Sequence, residues 1–538
     1  MEINIEIELE KIKTKSFNSE EEKNKELECL YKISNDNESI LFELGKSYFL
    51  LSKFDSAIFY FLKVLQINKG NINSVDLLNK SYKAQNKIYK SLRLLYKYRY
   101  FFVDIANEEI VSIYVNCQRY DLIIKYIYKY MDGQHPLKDS FCKYAISLIS
   151  KNNVENNINK VFKYSKKILN VINKDSNIKF YNSILNELEI SQQKTILKSY
   201  PRRLTVSLIS SCNLRCKMCP YDKNKLFALS KYQVDDIISI LPYIEEVEWN
   251  GGEAFLFEYF NELLDAAYKN NVKQYITSNG LLINDIYAEK IVKYDIDLTF
   301  SIDSVDKILY ESIRVGAKFD LLIKRIEKIN YYAKKLNRNA NLSINCVLSK
   351  YNYEKEDNFS DIIKFAKKYG FSKVRISIDQ YDTDKELINT ILLYFQGQKK
   401  KLVEIASKLK IDLQFIMPQI KQGNVIFMHI KNNVYNEKKE NVNLKIKDKQ
   451  IASCLLPLKK IHISFNGNMR PECLCQNVAT LFKKEDNKNI NGICLPSYNS
   501  IEDFWNCREL ILLREKIYSN KLDCVKNCYL SEKIRYDI

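Results

Sequence analysis

Fourteen cysteines stand against three histidines (His135, His429 and His462) in the 538 residues, so a metal bound here would be held by thiolates. No histidine has a recognisable motif around it, which argues against a His-rich zinc hydrolase site or a compact Ser-His-Asp triad. The chemistry is concentrated in Ser211-Cys212-Asn213-Leu214-Arg215-Cys216-Lys217-Met218-Cys219-Pro220, where Cys212, Cys216 and Cys219 are spaced C-x3-C-x2-C. Three thiolates are one short of a closed four-cysteine zinc or iron–sulfur site. A [4Fe–4S] cluster ligated in this way keeps one iron open to another molecule. The alternative is a structural zinc knuckle completed by a remote cysteine. A second group gathers near the end of the chain: Cys454, Cys473, Cys475, Cys494, Cys507, Cys524 and Cys528. Half of all the cysteines in so short a stretch argues for another metal site.

The elements that carry these residues follow from hydrophobic period. The triplet comes directly after a predicted strand at 204–211, and strands then alternate with helices. Further strands are expected at 246–249, 274–277, 298–302, 341–348 and 374–378, separated by amphipathic helices. Such alternation means βαβ units and a parallel sheet; six strands suggest a partial barrel, with a flat nucleotide-binding sheet as the alternative. The triplet then sits at the carboxyl end of its strand, where active sites of parallel α/β architectures lie. One βα unit later, Gly251-Gly252-Glu253 offers a place where backbone can approach a ligand without Cβ.

Upstream, the first 200 residues read as helices in pairs. Leu41, Leu44, Gly45, Tyr48, Ala57 and Phe61 follow the order of the tetratricopeptide repeat. A 34-residue shift returns Val75, Leu78, Tyr82, Ser91 and Leu95, a second copy. One helix pair cannot bury its own apolar face, so neighbours stack. Past 385 the order loosens into a helix, a short strand and a Lys/Asn-rich stretch at 431–449 read as a mobile loop. A hairpin then turns at Asn466-Gly467 and a final helix spans 501–518.

With the triplet and the Gly-Gly-Glu segment in place, residues 203–380 resemble the radical S-adenosylmethionine superfamily. The resemblance implies an α/β partial (β/α)6 barrel, in which Cys212, Cys216 and Cys219 ligate a [4Fe–4S] cluster whose open iron takes S-adenosylmethionine. It further implies cofactor contacts from Gly251, Gly252, Glu253, Asn279, Ser301, Asp303 and Asn345, with Arg314 clamping the methionine carboxylate. The residue before the third cysteine is often aromatic in the family and is Met218 here. The implied reaction is reductive cleavage of the cofactor to a 5′-deoxyadenosyl radical that abstracts hydrogen from a substrate. An electron donor such as flavodoxin or ferredoxin is implied with it.

The C-terminal cysteines resemble the SPASM extension of peptide-modifying radical enzymes, or its shorter Twitch form. That resemblance implies an auxiliary [4Fe–4S] cluster on Cys454, on Cys473 or Cys475, and on Cys524 and Cys528; a zinc clip is the alternative. Cys494 and Cys507 are read as bystanders.

The expected organisation is therefore multidomain. A helical repeat occupies 1–200, a partial barrel 201–385, a connecting segment 386–450, and a small cysteine-rich α+β domain 451–538. A peptide or protein substrate docked by the repeats is expected, with a sugar-like metabolite, or a non-catalytic metal-stabilised scaffold, as alternatives. The net charge of +18 comes from lysines spread along the chain rather than a basic block, which argues against nucleic acid. The N-terminus lacks the apolar core of a signal peptide and no long apolar run occurs, so a cytoplasmic protein without membrane spans is expected.

Overall fold

The computed structural model describes every residue except 1–4, 18, 102, 118, 120–121, 124, 127–138, 156, 171, 173, 176, 220–225, 380–381, 383, 422–423, 432–455, 472–497, 499 and 520–538. Cys454, Cys473, Cys475, Cys494, Cys524 and Cys528 lie outside the described residues, as does all but the first residue of the expected mobile loop. The chain forms two compact units, Met1–Leu148 and Ile149–Ile538. Among the described residues no helix is long and apolar enough to cross a membrane.

The first unit is built of helices that pack on their neighbours in sequence, including Glu38–Leu50, Phe54–Ile67, Ile72–Ala84 and Ile88–Tyr98. Three of the four boundaries recur 34 residues later, 38 at 72, 50 at 84 and 54 at 88. Asn37 and Asn71 both cap helix N-termini through their side chains. Ser52 and Asn86 both take positive φ at the turns that follow. The next residue closes each turn in the same way, Lys53 N–H donating to Tyr48 O and Lys87 N–H to Tyr82 O. Ala57, Phe61, Leu65, Val75, Leu78 and Tyr82 are buried together between the pairs.

The second unit is organised by a ten-stranded sheet. Its strands are β1 (Arg203–Ser207), β3 (Glu246–Asn250), β4 (Lys273–Ser278), β5 (Asp297–Ser301), β7 (Leu342–Leu348), β8 (Lys373–Ile378), β9 (Asp412–Lys421), β10 (Asn424–Lys431), β11 (Lys460–Ile463) and β12 (Met469–Pro471). Two short strands, β2 (Arg215–Cys216) and β6 (Arg314–Val315), pair with each other outside it. The order β10-β9-β8-β7-β5-β4-β3-β1-β11-β12 is parallel throughout except at the two edge pairs. All six expected strands are present and adjacent. The predicted short strand near 413 extends to Lys421 and continues the parallel run. The first strand of the Asn466-Gly467 hairpin, β11, pairs with β1 and lengthens the same sheet.

The described C-terminal helices also join this sheet's core, with Ile501, Phe504, Trp505, Leu510, Leu513 and Ile517 buried in it. The expected single helix breaks at Asn506, where the Asn506 side chain brackets Leu197 through that residue's N–H and C=O. Cys507 then caps the second helix, Arg508–Tyr518, through its sulfur.

Burial alternates along the central strands. Val247 and Trp249, Leu298 and Phe300, and Leu342, Ile344 and Cys346 are buried on one face. Glu248, Asn250, Thr299, Ser301, Ser343 and Asn345 lie half-buried on the other. The sheet thus has an apolar face packed in the core and a polar face.

The amino end of β1 is fixed by a buried charge network. Arg202 makes two contacts of 3.0 and 3.1 Å to Glu245 and also pairs with Glu187, whose side chain is fully buried on the helix Ile178–Ser191. Lys459, just before β11, reaches Glu187 at 2.5 Å. Burial opposes the Glu187 charge, but Lys459 and Arg202 outweigh it and hold the carboxyl down at about 2. Removing one partner of such a network leaves uncompensated buried charge, so Glu187→Gln is expected to cost about 3–5 kcal/mol in denaturant unfolding. Because the folded value lies below the unfolded one, Glu187 stabilises above the ordinary carboxylate range. That contribution fades as pH falls toward 2, and the Gln variant's stability should be flatter over that window.

Candidate active site at the cysteine loop

The loop bearing the cysteines leaves β1 and is fastened at three places. At its base Ile209 bridges Ala228 in antiparallel fashion, with Ser210 N–H donating to Phe227 O at 2.9 Å and Leu229 N–H to Leu208 O at 3.0 Å. On its flank the end of β3 closes against it: Gly252 N–H donates to Ile209 O at 2.6 Å and Glu253 N–H to Ser211 O at 2.9 Å. In its middle β2 pairs with β6, which sets Cys216 opposite Arg314.

The second fastening requires both glycines. Gly251 has φ +143°, and a Cβ there would stand 2.5 Å from Ile209 O. A Cβ on Gly252 would stand 2.2 Å from Ser211 O and 2.4 Å from Ser210 O. These are backbone atoms, which cannot swing aside.

Cys212, Cys216 and Cys219 are partly exposed, and none is in a disulfide with another described residue. Two of the thiols have N–H donors aimed at them. Leu214 N–H approaches Cys212 Sγ at 3.4 Å and Asn279 Nδ2 approaches it at 3.9 Å. Arg314 reaches Cys216 Sγ at 3.8 Å. Cys219 N–H donates to Cys216 O at 3.2 Å, which folds the third cysteine back toward the second. Burial pushes the Cys212 thiol up; Leu214 N–H counters this, and Glu253 and the two other thiols add to it. The free thiol therefore stays protonated near neutral pH, and its proton leaves when a metal takes its place.

Behind these donors stand two buried carboxylates. Glu253 accepts from Ser278 Oγ at 2.7 Å and from Asn279 N–H at 2.9 Å, binding the end of β3 to the end of β4. Burial raises its carboxyl above the ordinary range, against these donors and Arg314. Asn279 is held in turn, since its Nδ2 donates to Asn213 Oδ1 at 2.9 Å and its Oδ1 accepts from Leu281 N–H at 3.0 Å. Asp303 lies 2.8 Å from Arg314 Nε, and its Oδ1 accepts from Val347 N–H at 2.8 Å. Asn352 and Asn358 both donate to the Asp303 carbonyl, at 3.0 and 3.1 Å. Burial raises the Asp303 carboxyl, while Arg314 pulls it down. The Arg314 guanidinium loses solvation on burial, but Asp303 and Cys216 more than restore its charge.

The expected site residues therefore fall into two sets. Cys212, Cys216, Cys219, Asn279, Arg314, Gly251, Gly252, Glu253 and Asp303 are joined by direct contacts at the carboxyl ends of β1, β3, β4 and β5. Ser301 and Asn345 are register partners on the polar face of β5 and β7. Asn213, Ser278, Asn352 and Asn358 complete the network; Asn213 stands within the cysteine segment that sequence singles out, and Ser278 directly precedes Asn279. The others become neighbours through strand order, which leaves no local pattern.

Among the described residues no three His, Cys, Asp or Glu side chains gather as a single-ion site. A four-iron cluster does not require that, because each thiolate ligates a different iron. N–H donors aimed at the sulfurs suit thiolate ligands of such a cluster.

Residues 206–394 match the family described as the radical SAM superfamily, and the chain carries a radical SAM domain there. The cofactors of that family are a [4Fe–4S] cluster and S-adenosylmethionine. A GTP 3′,8-cyclase from Synechocystis is 29% identical over 198 residues, covering 34% of this chain and 57% of that one. The mycofactocin maturase MftC of Mycolicibacterium smegmatis is 28% identical over 178 residues, covering 32% of this chain and 43% of that one. The chain spans about half the length of these relatives. A crystal structure of Streptococcus suis SuiB bound to precursor peptide SuiA superposes with a TM-score of 0.44 at 18% identity, covering 66% of this chain and 74% of that chain.

The fastening by β3 gives a direct test. In Gly252→Ala the added Cβ has no room, so the cysteine loop must shift. Anaerobically reconstituted variant is expected to lose about four iron per chain, the content of one cubane, while its circular dichroism stays that of the parent. Unchanged iron would show that the loop does not depend on this contact.

Proposed function

We propose that the protein is a radical S-adenosylmethionine enzyme that abstracts hydrogen from a peptide or protein substrate. The observation that carries the reading is the cysteine loop itself, fastened at the carboxyl edge of a parallel sheet with donors already aimed at two of its three sulfurs. When bound, a reduced cluster would supply one electron to the sulfonium of S-adenosylmethionine, and the cofactor would supply the 5′-deoxyadenosyl group that takes hydrogen from the substrate. Cys212, Cys216 and Cys219 hold the cluster. Leu214 N–H, Asn279 and Arg314 offset negative charge on the Cys212 and Cys216 sulfurs, which favours the reduced state. Arg314, Ser301, Asn279 and Asn345 orient the cofactor's polar groups. Gly251 and Gly252 contribute a backbone edge without Cβ. Glu253 and Asp303 act through Asn279 and Arg314, since both carboxylates are buried and already engaged.

The substrate class rests on the first unit. Its 34-residue structural repeat supports the tetratricopeptide assignment, and such solenoids present concave surfaces suited to peptides. The two relatives differ in what their names say they act on, so they do not choose for this chain; that one is named a maturase is consistent with a peptide. An auxiliary [4Fe–4S] cluster on Cys454, Cys473 or Cys475, Cys524 and Cys528 belongs to the same reading, as does a flavodoxin or ferredoxin donor.

Anaerobic reconstitution should load about eight iron per chain, two four-iron clusters. The reduced protein should then convert S-adenosylmethionine to 5′-deoxyadenosine, and Cys216→Ala should abolish that product. Zinc in the purified protein, with no cofactor cleavage under dithionite, would contradict the reading. Cys524→Ala/Cys528→Ala should lose about half the iron if the auxiliary site exists.

A further inference from the structure

The polar face of the sheet is lined with charge, and nearly all of it is matched. Arg203 pairs with Glu246 at 3.3 Å and Lys273 with Asp297 at 3.1 Å. Lys460 stands 3.7 Å from Glu248, and Lys373 3.8 Å from Asp412. His462 accepts from Arg470 at Nδ1, because a guanidinium can only donate, so Nε2 carries the proton that faces Ser207 Oγ at 3.2 Å. Burial, reinforced by Arg470 and Lys460, lowers His462 to about 3 and keeps it neutral.

Arg375 is the exception. It lies on β8 between Lys373 and Ser377, with its guanidinium largely buried. It forms no ion pair or hydrogen bond with any other described residue, and its Nε is buried without a partner. The nearest acids are already engaged: Glu248 with Lys460, and Asp412 with Lys373 and with Gln414 Nε2 at 2.8 Å. A buried cation without a partner costs several kcal/mol, so an anion that completes it would bind there with a large gain.

Its place in the sheet says which molecule. Ser301, Asn345, Arg375 and Gln414 form one register row across β5, β7, β8 and β9. Neighbouring strands are about 4.8 Å apart, which puts Arg375 roughly 10 Å along the row from Ser301. Ser301 is two residues before Asp303, the partner of Arg314 beside Cys216. The row therefore runs from the cysteine loop to Arg375 over one polar surface.

We propose that Arg375 receives a carboxylate of the substrate and sets which residue is presented to the cysteine-loop edge, flanked by the amides of Asn345 and Gln414. A guanidinium suits this role because its planar fork matches a carboxylate with two parallel hydrogen bonds. The proposal rests on the peptide reading given above. The carboxylate could belong to an Asp or Glu side chain or to a chain terminus, and the chemistry is the same.

The test is differential arginine labelling of the full-length protein with phenylglyoxal, read by peptide mass spectrometry, with exposed Arg338 as reference. Three capped tripeptides serve as probes: Ac-Ala-Asp-Ala-NH2, its isostere Ac-Ala-Asn-Ala-NH2, and Ac-Ala-Ala-Ala-OH. At about ten times its dissociation constant, a bound carboxylate peptide should slow Arg375 labelling about tenfold and leave Arg338 unchanged. Protection by the Asp peptide assigns a side chain, and protection by the free-acid peptide assigns a terminus. Equal protection by the Asn peptide, or none by either carboxylate, overturns the proposal. As a second measurement, the Asp peptide or the free-acid peptide should raise the parent's melting temperature and not that of Arg375→Gln; an equal rise in both would also overturn it. Neither readout needs the clusters or cofactor cleavage, so failure here is distinct from failure of the radical reading.

Discussion

Two backbone hydrogen bonds between the end of β3 and the first residues of the cysteine loop hold the rest of the site in place. Gly252 N–H to Ile209 O and Glu253 N–H to Ser211 O bring two main chains so close that neither glycine has room for a Cβ. A loop carrying three reactive thiols has few apolar contacts of its own, so without such a clasp it would pay the full entropy of being ordered. The clasp also sets the direction of the chain that follows, which delivers Glu253 into the core. There its carboxylate gathers Ser278 and Asn279 from the next strand, and Asn279 returns to Cys212.

The opposite flank of the loop is secured by charge rather than by close approach. Pairing of β2 with β6 puts Arg314 against Cys216, and Asp303 keeps the guanidinium charged and oriented although it is buried. Asp303 is itself fixed from behind by Val347 N–H, Asn352 and Asn358. Each thiol with a side-chain donor is thus backed by a carboxylate one step further in. Both arms start at strand ends, where parallel strands bring loops from distant parts of the sequence to one edge.

Much of this was legible in the sequence. The cysteine spacing and the Gly-Gly-Glu segment are local, and strands such as Glu246–Asn250 and Leu342–Leu348 declare themselves by alternation. That alternation carried more than strand identity. A parallel sheet buried on both faces reads as a continuous apolar run, whereas Glu248, Ser301 and Asn345 mark a second face left polar. Pairings set by strand order were not legible. Asp303 with Arg314, Arg202 with Glu187 and Glu245, and the isolation of Arg375 arise from residues far apart in sequence. The hairpin at Asn466-Gly467 was visible, but its destination beside β1 was not, because an edge strand carries no mark of the sheet it will join.

The most direct measurement is electron paramagnetic resonance of the reduced, reconstituted protein with and without S-adenosylmethionine. If Cys212, Cys216 and Cys219 leave one iron open at the strand edge, adding the cofactor must change the cluster's g values. The same change must vanish in Cys212→Ala. A spectrum identical with and without the cofactor, in protein that holds its full iron, would contradict an open cluster at this loop.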